Sequence, residues 1–273
     1  DPRLCTIMGL QRRGLTAAGI NNFVRDVGYT RNANVIQMSR LEHHCRADLD
    51  ATSRRAMAVL RPLKVVLVDE AADFTRTYRV PFFPKDPERG VHTVTLCREL
   101  WIDAEDFKEE DTKGYYGMAP DKHVMLKHIG IVHCTGMERR EDGTVRQLTA
   151  RLVSNDDFAA TGRSRPKGAL HWVSTPAPGA PPVEAEVRLY ERLFHTDEPG
   201  ETGDWEAELN RSSERVLHGA IVEPVLGECA VGDRFQFERV GYFCADKDST
   251  DHRKVFNLTL SLRESADVKA TRK

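Results

Sequence analysis

The feature that most limits the fold of this chain is a change of hydrophobic period at Pro62. Before it, apolar residues recur at helical spacing. Ile20, Phe23, Val24 and Val27 fall at i, i+3, i+4 and i+7 and so share one helix face. Thr16 suits the N-cap of that helix and Gly28 its stop. A second helix is predicted from near Ser39, with Met38, Leu41, Cys45 and Leu49 on one stripe. Pro2 to Arg13 reads as a shorter helix ended by Gly14. From the β-branched run Leu63–Val68 onward the pattern is of short strands separated by Pro, Gly and Asp. Strands are expected at Tyr78–Val80, Val91–Leu96, Leu100–Asp103, His123–Lys127, Gly130–Glu138, Val145–Val153, Ala169–Ser174, Glu186–Tyr190, Arg234–Glu238, Tyr242–Ala245 and Val255–Leu262. Asp142-Gly143 predicts a hairpin turn whose two central residues both take positive φ. Regular short strands of this kind build barrels or sandwiches. Thr175–Pro182 and Asp197–Asp204 read as loops, Ser265–Lys273 as a frayed tail.

Charge narrows the function. The net charge is only −2. Residues 1–64, however, carry eleven Lys and Arg against five Asp and Glu, which leaves the remainder acidic. A basic segment of this kind either holds a phosphate backbone or forms a solvated helical surface. The apolar runs fall short of the roughly 20 residues a membrane helix needs. The N-terminal Asp-Pro-Arg-Leu has no Met and no signal-peptide shape, and reads as an internal cut in a longer chain. No two of the six Cys lie at metal-ligand spacing, so free thiols are expected. His43-His44-Cys45 lacks a second ligand pair.

Catalytic signatures are missing. His128-Ile129-Gly130-Ile131 is close to a His-Ile-Gly-His nucleotide signature, but it runs into a hairpin strand, not a helix N-terminus. There is no glycine-rich phosphate loop, no Gly-x-Ser-x-Gly elbow and no His-Glu-x-x-His. The residues therefore describe a helical piece followed by β-barrels, with no self-contained active site.

Several stretches, in order along nearly the whole chain, resemble glutaminyl-tRNA synthetases. They are Asp1-Pro-Arg-Leu4 with Gly9-Leu-Gln-Arg-Arg-Gly14, Ile20-Asn-Asn-Phe23 with Val27-Gly28, and Arg55-Ala-Met-Ala-Val-Leu60. Lys167-Gly168 with His171-Trp-Val-Ser174 and Val187-Arg-Leu-Tyr-Glu-Arg-Leu-Phe194 continue the series. The most distinctive is Phe235-Gln-Phe-Glu-Arg239 with Gly241-Tyr-Phe243 and Val255-Phe-Asn257. The resemblance implies an α+β multidomain fold. A helical subdomain would span 1–52, a proximal anticodon-binding β-barrel 53–111 and 195–264, an inserted distal barrel 112–194, and a tail 265–273. Both barrels would be mainly antiparallel. The resemblance places the ATP-binding Rossmann domain, with every catalytic residue, outside this segment. The segment would then hold no cofactor or metal and be inactive alone. The full cytoplasmic enzyme would attach glutamine to tRNA(Gln) with ATP and Mg2+, as a monomer or within a larger synthetase complex.

The resemblance also assigns residues. Arg55 and Gln236 would meet the middle anticodon base in a groove between the barrels. Arg239, on the opposite strand face, would support the same pocket. Read from the residues alone, Arg55 equally suits a surface position and Gln236 a barrel hydrogen bond. Thr30, Arg31 and Gln37 would lie against the inside corner of the tRNA. Where relatives carry a Lys-Arg pair for the third base this chain has Tyr116-Gly117, and where some bacterial members carry an Arg for the first it has Met125. The expectation is that Tyr115 or Tyr116 stacks on a flanking base while Lys113 or Lys127 holds phosphate. The alternative is that the tyrosines fill barrel core. The competing functions are a glutamyl-tRNA synthetase of archaeal or eukaryotic type and a non-catalytic barrel protein that binds RNA.

Overall fold

The computed structural model describes residues 1–29, 31, 35–196, 198–201 and 203–263. Thr30 and the tail therefore lie outside the described residues. The chain is mostly β, with a few helices. In order the elements are α1 (Ile7–Arg13), α2 (Ala17–Val27), α3 (Met38–Thr52), β1 (Arg54–Ala56), β2 (Ala58–Val59), β3 (Pro62–Leu67), β4 (Thr75–Pro81), β5 (Val91–Cys97), β6 (Glu99–Asp103), β7 (His123–Leu126), β8 (Gly130–Arg139), β9 (Val145–Val153), α4 (Asn155–Ala160), β10 (Val173–Ser174), β11 (Val183–Tyr190), β12 (Glu214–Val222), α5 (Pro224–Gly227), β13 (Arg234–Phe237), β14 (Gly241–Ala245) and β15 (Lys254–Ser261). A seven-stranded sheet runs β1-β13-β14-β15-β11-β12-β2. A six-stranded sheet runs β10-β6-β3-β9-β8-β7, and β4 pairs with β5.

The chain divides into two compact units. One comprises Asp1–Arg55, Glu186–His218 and the residues from Cys229 on; the other comprises Ala56–Ala185 and Gly219–Glu228. In the first, α1 and α2 form as their caps direct, while α3 follows Gln37 with no side-chain cap. The Thr6 hydroxyl accepts from the Gly9 amide at 3.1 Å and the Thr16 hydroxyl from Gly19 at 3.0 Å. Gly14 ends α1 with φ 108°. A Cβ there would strike Cys244 and the Thr259 hydroxyl, so the helix stop is also a close-packing point. Leu10, Leu15, Leu41, Cys45 and Leu49 pack with Tyr242 and Leu260 of β14 and β15.

A partly buried ionic cluster, centred on the buried Asp246, ties α1 to these strands. The Arg12 guanidinium donates twice to Asp246, both at 2.9 Å, and once to Asp248 at 2.8 Å. Arg188 bridges Glu186 at 2.8 Å and Asp248 at 2.7 Å. The Asn257 amide donates to Asp246 and accepts from the Tyr190 hydroxyl at 2.9 Å.

In the second unit, β3 pairs antiparallel with β6 and parallel with β9. Residues 170–172 draw together the two ends of the six-stranded sheet. Leu170 exchanges backbone bonds with β7 and the following turn, Trp172 donates its indole N–H to the Lys127 carbonyl at 2.8 Å, and Val173 pairs with Trp101 on β6. The sheet thereby comes close to a closed barrel around Val65, Leu67, Leu100, Ile102, Val132, Leu148 and the fully buried Trp172.

One turn differs from expectation. At Asp142-Gly143 only Gly143 takes positive φ (83°), because the loop runs from Arg140 to Thr144 and the Asp142 carboxylate accepts from the Thr144 amide at 2.8 Å. His128, with φ 66°, sits in the reversal between β7 and β8, which Leu126 and Gly130 close. Among the described residues no helix is long and apolar enough to cross a membrane.

Candidate nucleic-acid interface

Two adjacent arginines open the first unit's sheet, and strand alternation sends them to opposite faces. The Arg54 guanidinium lies 4.6 Å from the ring centre of Phe235 and pairs with Asp233 at 2.7 Å. Phe235 and Phe237 are fully buried on that face, where Phe237 stacks on Phe243 at 4.2 Å. β1 is the neighbour of β13 in the sheet. Because Arg54 shares a face with Phe235, Arg55 shares the other face with Gln236. The direct cross-strand partner of Gln236 is Tyr242.

On this second face the side chains converge on the last turn of α3. Arg55 Nη2 lies 3.3 Å from Asp50 Oδ1, and the Tyr242 hydroxyl lies 3.5 Å from the same oxygen. Burial, together with the Asp50 charge, pushes the Tyr242 phenol up to about 12, so it stays a neutral donor. Gln236 Oε1 is buried and accepts no hydrogen bond. A buried amide oxygen without a donor costs about 1–3 kcal/mol relative to a satisfied one, and such an atom is unusual in a well-packed sheet. The face thus carries a guanidinium with donors left over and a buried acceptor without a donor.

The remaining expected residues fall elsewhere. Arg239 is not on a strand. β13 ends at Phe237, opposite Gly241, and the chain reverses over Glu238–Val240, with Arg239 exposed at φ 68°. That turn, not strand alternation, sets its direction, so the expected placement on the opposite strand face is corrected. Lys113, Tyr115 and Tyr116 share one loop of the second unit. Tyr115 is held, with Lys108 Nζ 4.7 Å and Lys122 Nζ 5.0 Å from its ring centre, and it covers Gly117, where any Cβ would strike its phenol end. Tyr116 projects outward and is 58 % exposed. Lys127 lies just past β7, and its backbone amide and carbonyl bond to Leu170 and Trp172. Arg31 is exposed. Gln37 is the N-terminal cap position of α3 and lines an open cleft with Asp26, Arg40 and His44, in which Arg40 and His44 both hold Asp26.

Sequence reasoning does not point to Asp50 or Tyr242 as site residues. Tyr242 lies within the Gly-Tyr-Phe stretch. Asp50 carries no signal beyond an acid at a helix end.

A guanidinium and an unsatisfied amide oxygen on one sheet face supply hydrogen-bond donors and an acceptor to a planar polar edge. Residues 53–153 and residues 169–246 each match a family described as tRNA synthetases class I (E and Q), anti-codon binding domain. The chain is 43 % identical over 271 residues to the cytoplasmic glutamine--tRNA ligase of Arabidopsis thaliana, covering 97 % of this chain and 33 % of that protein. It is 38 % identical over 273 residues to a probable glutamine--tRNA ligase of Dictyostelium discoideum, covering 100 % and 34 %. It is 42 % identical over 269 residues to the glutamine--tRNA ligase of Pseudomonas putida, covering 97 % and 47 %. The chain spans between about a third and a half of the length of these relatives. It belongs to the anticodon-binding domains of the class I synthetases for glutamate and glutamine, and the relatives it matches carry the glutamine name.

Proposed function

We propose that this chain reads the anticodon loop of tRNA(Gln), with Arg55 and Gln236 facing the middle base, as the anticodon-binding part of a glutamine--tRNA ligase. The observation that carries the reading is the orphan Gln236 Oε1 on the same sheet face as Arg55. A uracil edge supplies what the face lacks: its N3–H donates to the amide oxygen, and its carbonyl oxygens accept from the guanidinium. Cytosine presents an acceptor at N3 and would leave two acceptors opposed. The cytoplasm is the proposed compartment, as the name of the Arabidopsis relative suggests. ATP and Mg2+, which glutamine ligation requires, are assigned no residue of this chain. Among the described residues no group of His, Cys, Asp or Glu could hold a metal.

The test is a titration of the chain with anticodon stem-loop RNA carrying U or C at the middle position. The expected preference for U is roughly tenfold to a hundredfold, as for one misread base of about 1–3 kcal/mol. Equal binding of the two RNAs overturns the reading.

Flanking-base stacking is assigned to Tyr116, since Tyr115 is packed between two lysines. Lys113, Lys127, Arg31 and Gln37 are proposed to meet the RNA backbone, and Arg239 to support the pocket. Tyr116→Ala is expected to weaken RNA binding by about 1 kcal/mol, the low end for loss of one stacked base. Fluorescence anisotropy with the stem-loop RNA measures it, and unchanged affinity removes the stacking role.

A further inference from the structure

The second unit carries a strand with one edge unoccupied. Among the described residues β4 pairs with β5 and with no other strand. The Phe82 amide donates to the Gly90 carbonyl at 3.0 Å, and this pair continues the register that sets Pro81 against Val91 and Val80 against His92. Bonded pairs alternate along an antiparallel ladder, so Arg76, Tyr78 and Val80 direct their backbone groups to β5. Thr75, Thr77, Arg79 and Pro81 turn theirs to the outer edge. Two observations agree with this phase. Pro81, which has no N–H, stands at an outward position, where none is needed. On β5 the Cys97 amide, opposite Thr75, donates away from β4 to the Ser174 hydroxyl at 3.0 Å. Among the described residues the outward backbone groups of Thr75, Thr77 and Arg79 make no backbone hydrogen bond.

Thr75, Arg76, Thr77 and Arg79 are exposed, while Val80 is buried and Tyr78 packs against the core. The two arginines are the only charged residues on β4. Arg76 holds its guanidinium 5.7 Å from the ring centre of Phe74, and among the described residues neither arginine forms an ion pair. An open edge of seven residues is a template for another strand. The charges decide which strand it takes. A second copy of this chain meeting β4 antiparallel about Thr77 and Tyr78 would set Arg76 against Arg79 twice, and like charges directly opposed are destabilising. A strand with two acids three residues apart would place one carboxylate opposite each guanidinium, on opposite faces of the extended sheet. Its backbone would meet the outward amides and carbonyls of Thr75, Thr77 and Arg79.

We propose that β4 takes an extended acidic segment of a partner protein as a third strand, held by backbone bonds to Thr75, Thr77 and Arg79 and by carboxylates on Arg76 and Arg79. The proposal does not depend on the reading of the anticodon by Arg55 and Gln236. The probe is a blocked, fluorescein-labelled heptapeptide, Thr-Val-Glu-Thr-Val-Glu-Thr, with a control in which both Glu are replaced by Lys. Fluorescence anisotropy with the whole 273-residue chain is expected to show the glutamate peptide binding about tenfold more tightly than the lysine peptide. The double variant Arg76→Glu, Arg79→Glu should reverse that preference. Two further glutamate peptides, N-methylated at alternate residues in the two possible phases, separate strand addition from simple charge attraction. The phase whose N–H groups face β4 should bind about tenfold more weakly than the other. A wild-type chain that binds neither peptide, a double variant that does not prefer the lysine peptide, or equal affinity of the two methylated forms overturns the proposal. Weaker binding of stem-loop RNA by the double variant, with no peptide bound by the wild type, assigns the two arginines to phosphate instead.

Discussion

Replacing Arg55 and Gln236 together by Leu is expected to erase the preference for uracil and to weaken stem-loop binding about a hundredfold. This corresponds to about 1–3 kcal/mol for each side chain withdrawn from the base edge. The same substitution at Gln236 alone is expected to raise the melting temperature while lowering discrimination. The reason is the buried Oε1, which in the free protein has no donor. Leucine removes that unsatisfied acceptor and keeps the volume, a gain of about 1 kcal/mol. A residue retained only to complete the sheet would give the opposite sign. Thermal melting and anisotropy on the same variant check both halves. A lower melting temperature with discrimination intact would show that Gln236 serves the sheet and not the RNA.

Asp246→Ala is expected to destabilise the first unit by about 3–5 kcal/mol, the cost of breaking a buried pair and leaving its partners charged. The Asp246 side chain is 0 % exposed and receives Arg12, Asn257 and the Asp248 amide. Burial alone would raise its carboxyl. The Arg12 hydrogen bond and charge, with the Asp248 and Asn257 bonds, outweigh burial and hold it at about 2. Because the folded value lies below the ordinary 3.8, the linked stability is fully present above about pH 4 and is lost as pH falls through about 2. It amounts to about 2 kcal/mol. Urea melts at pH 7 and pH 3 check both statements: the gap between wild type and Asp246→Ala should narrow at the lower pH. A constant gap would mean that the carboxylate charge is not what stabilises.

α1, α2 and α3 were legible because period and, at α1 and α2, caps act locally, whereas the short α4 and α5 were missed. Thr16, Gly14 and Gly28 perform as their chemistry dictates, and α3 starts at Met38, one residue before the expected Ser39. Strand existence was mostly legible too, from β3 to β11 and from β13 to β15. The two-residue β2, the three-residue β1 and the nine-residue β12 were missed. Two of these are shorter than any alternation can reveal. In β12, Glu214-Arg-Val-Leu-His-Gly alternates poorly, and only its last three residues are buried. Which strands share a sheet was not legible, since β3 joins β9 and β11 joins β15 across long stretches that leave no local trace. At the proposed site, the sharing of one sheet face by Arg55 and Gln236 depends on β1 lying beside β13, and no spacing encodes it.

α3 runs for fifteen residues and hands over to β1 through Ser53 alone, which is 2 % exposed. There is no slack between helix and strand. A one-residue insertion there would exchange the positions of Arg54 and Arg55, exposing the ring of Phe235 and turning the other guanidinium inward. Length variation should therefore be forbidden between Leu49 and Ala56, however freely the loop around Tyr116 drifts. Any force that displaces α3 along its axis also reaches Arg55 directly.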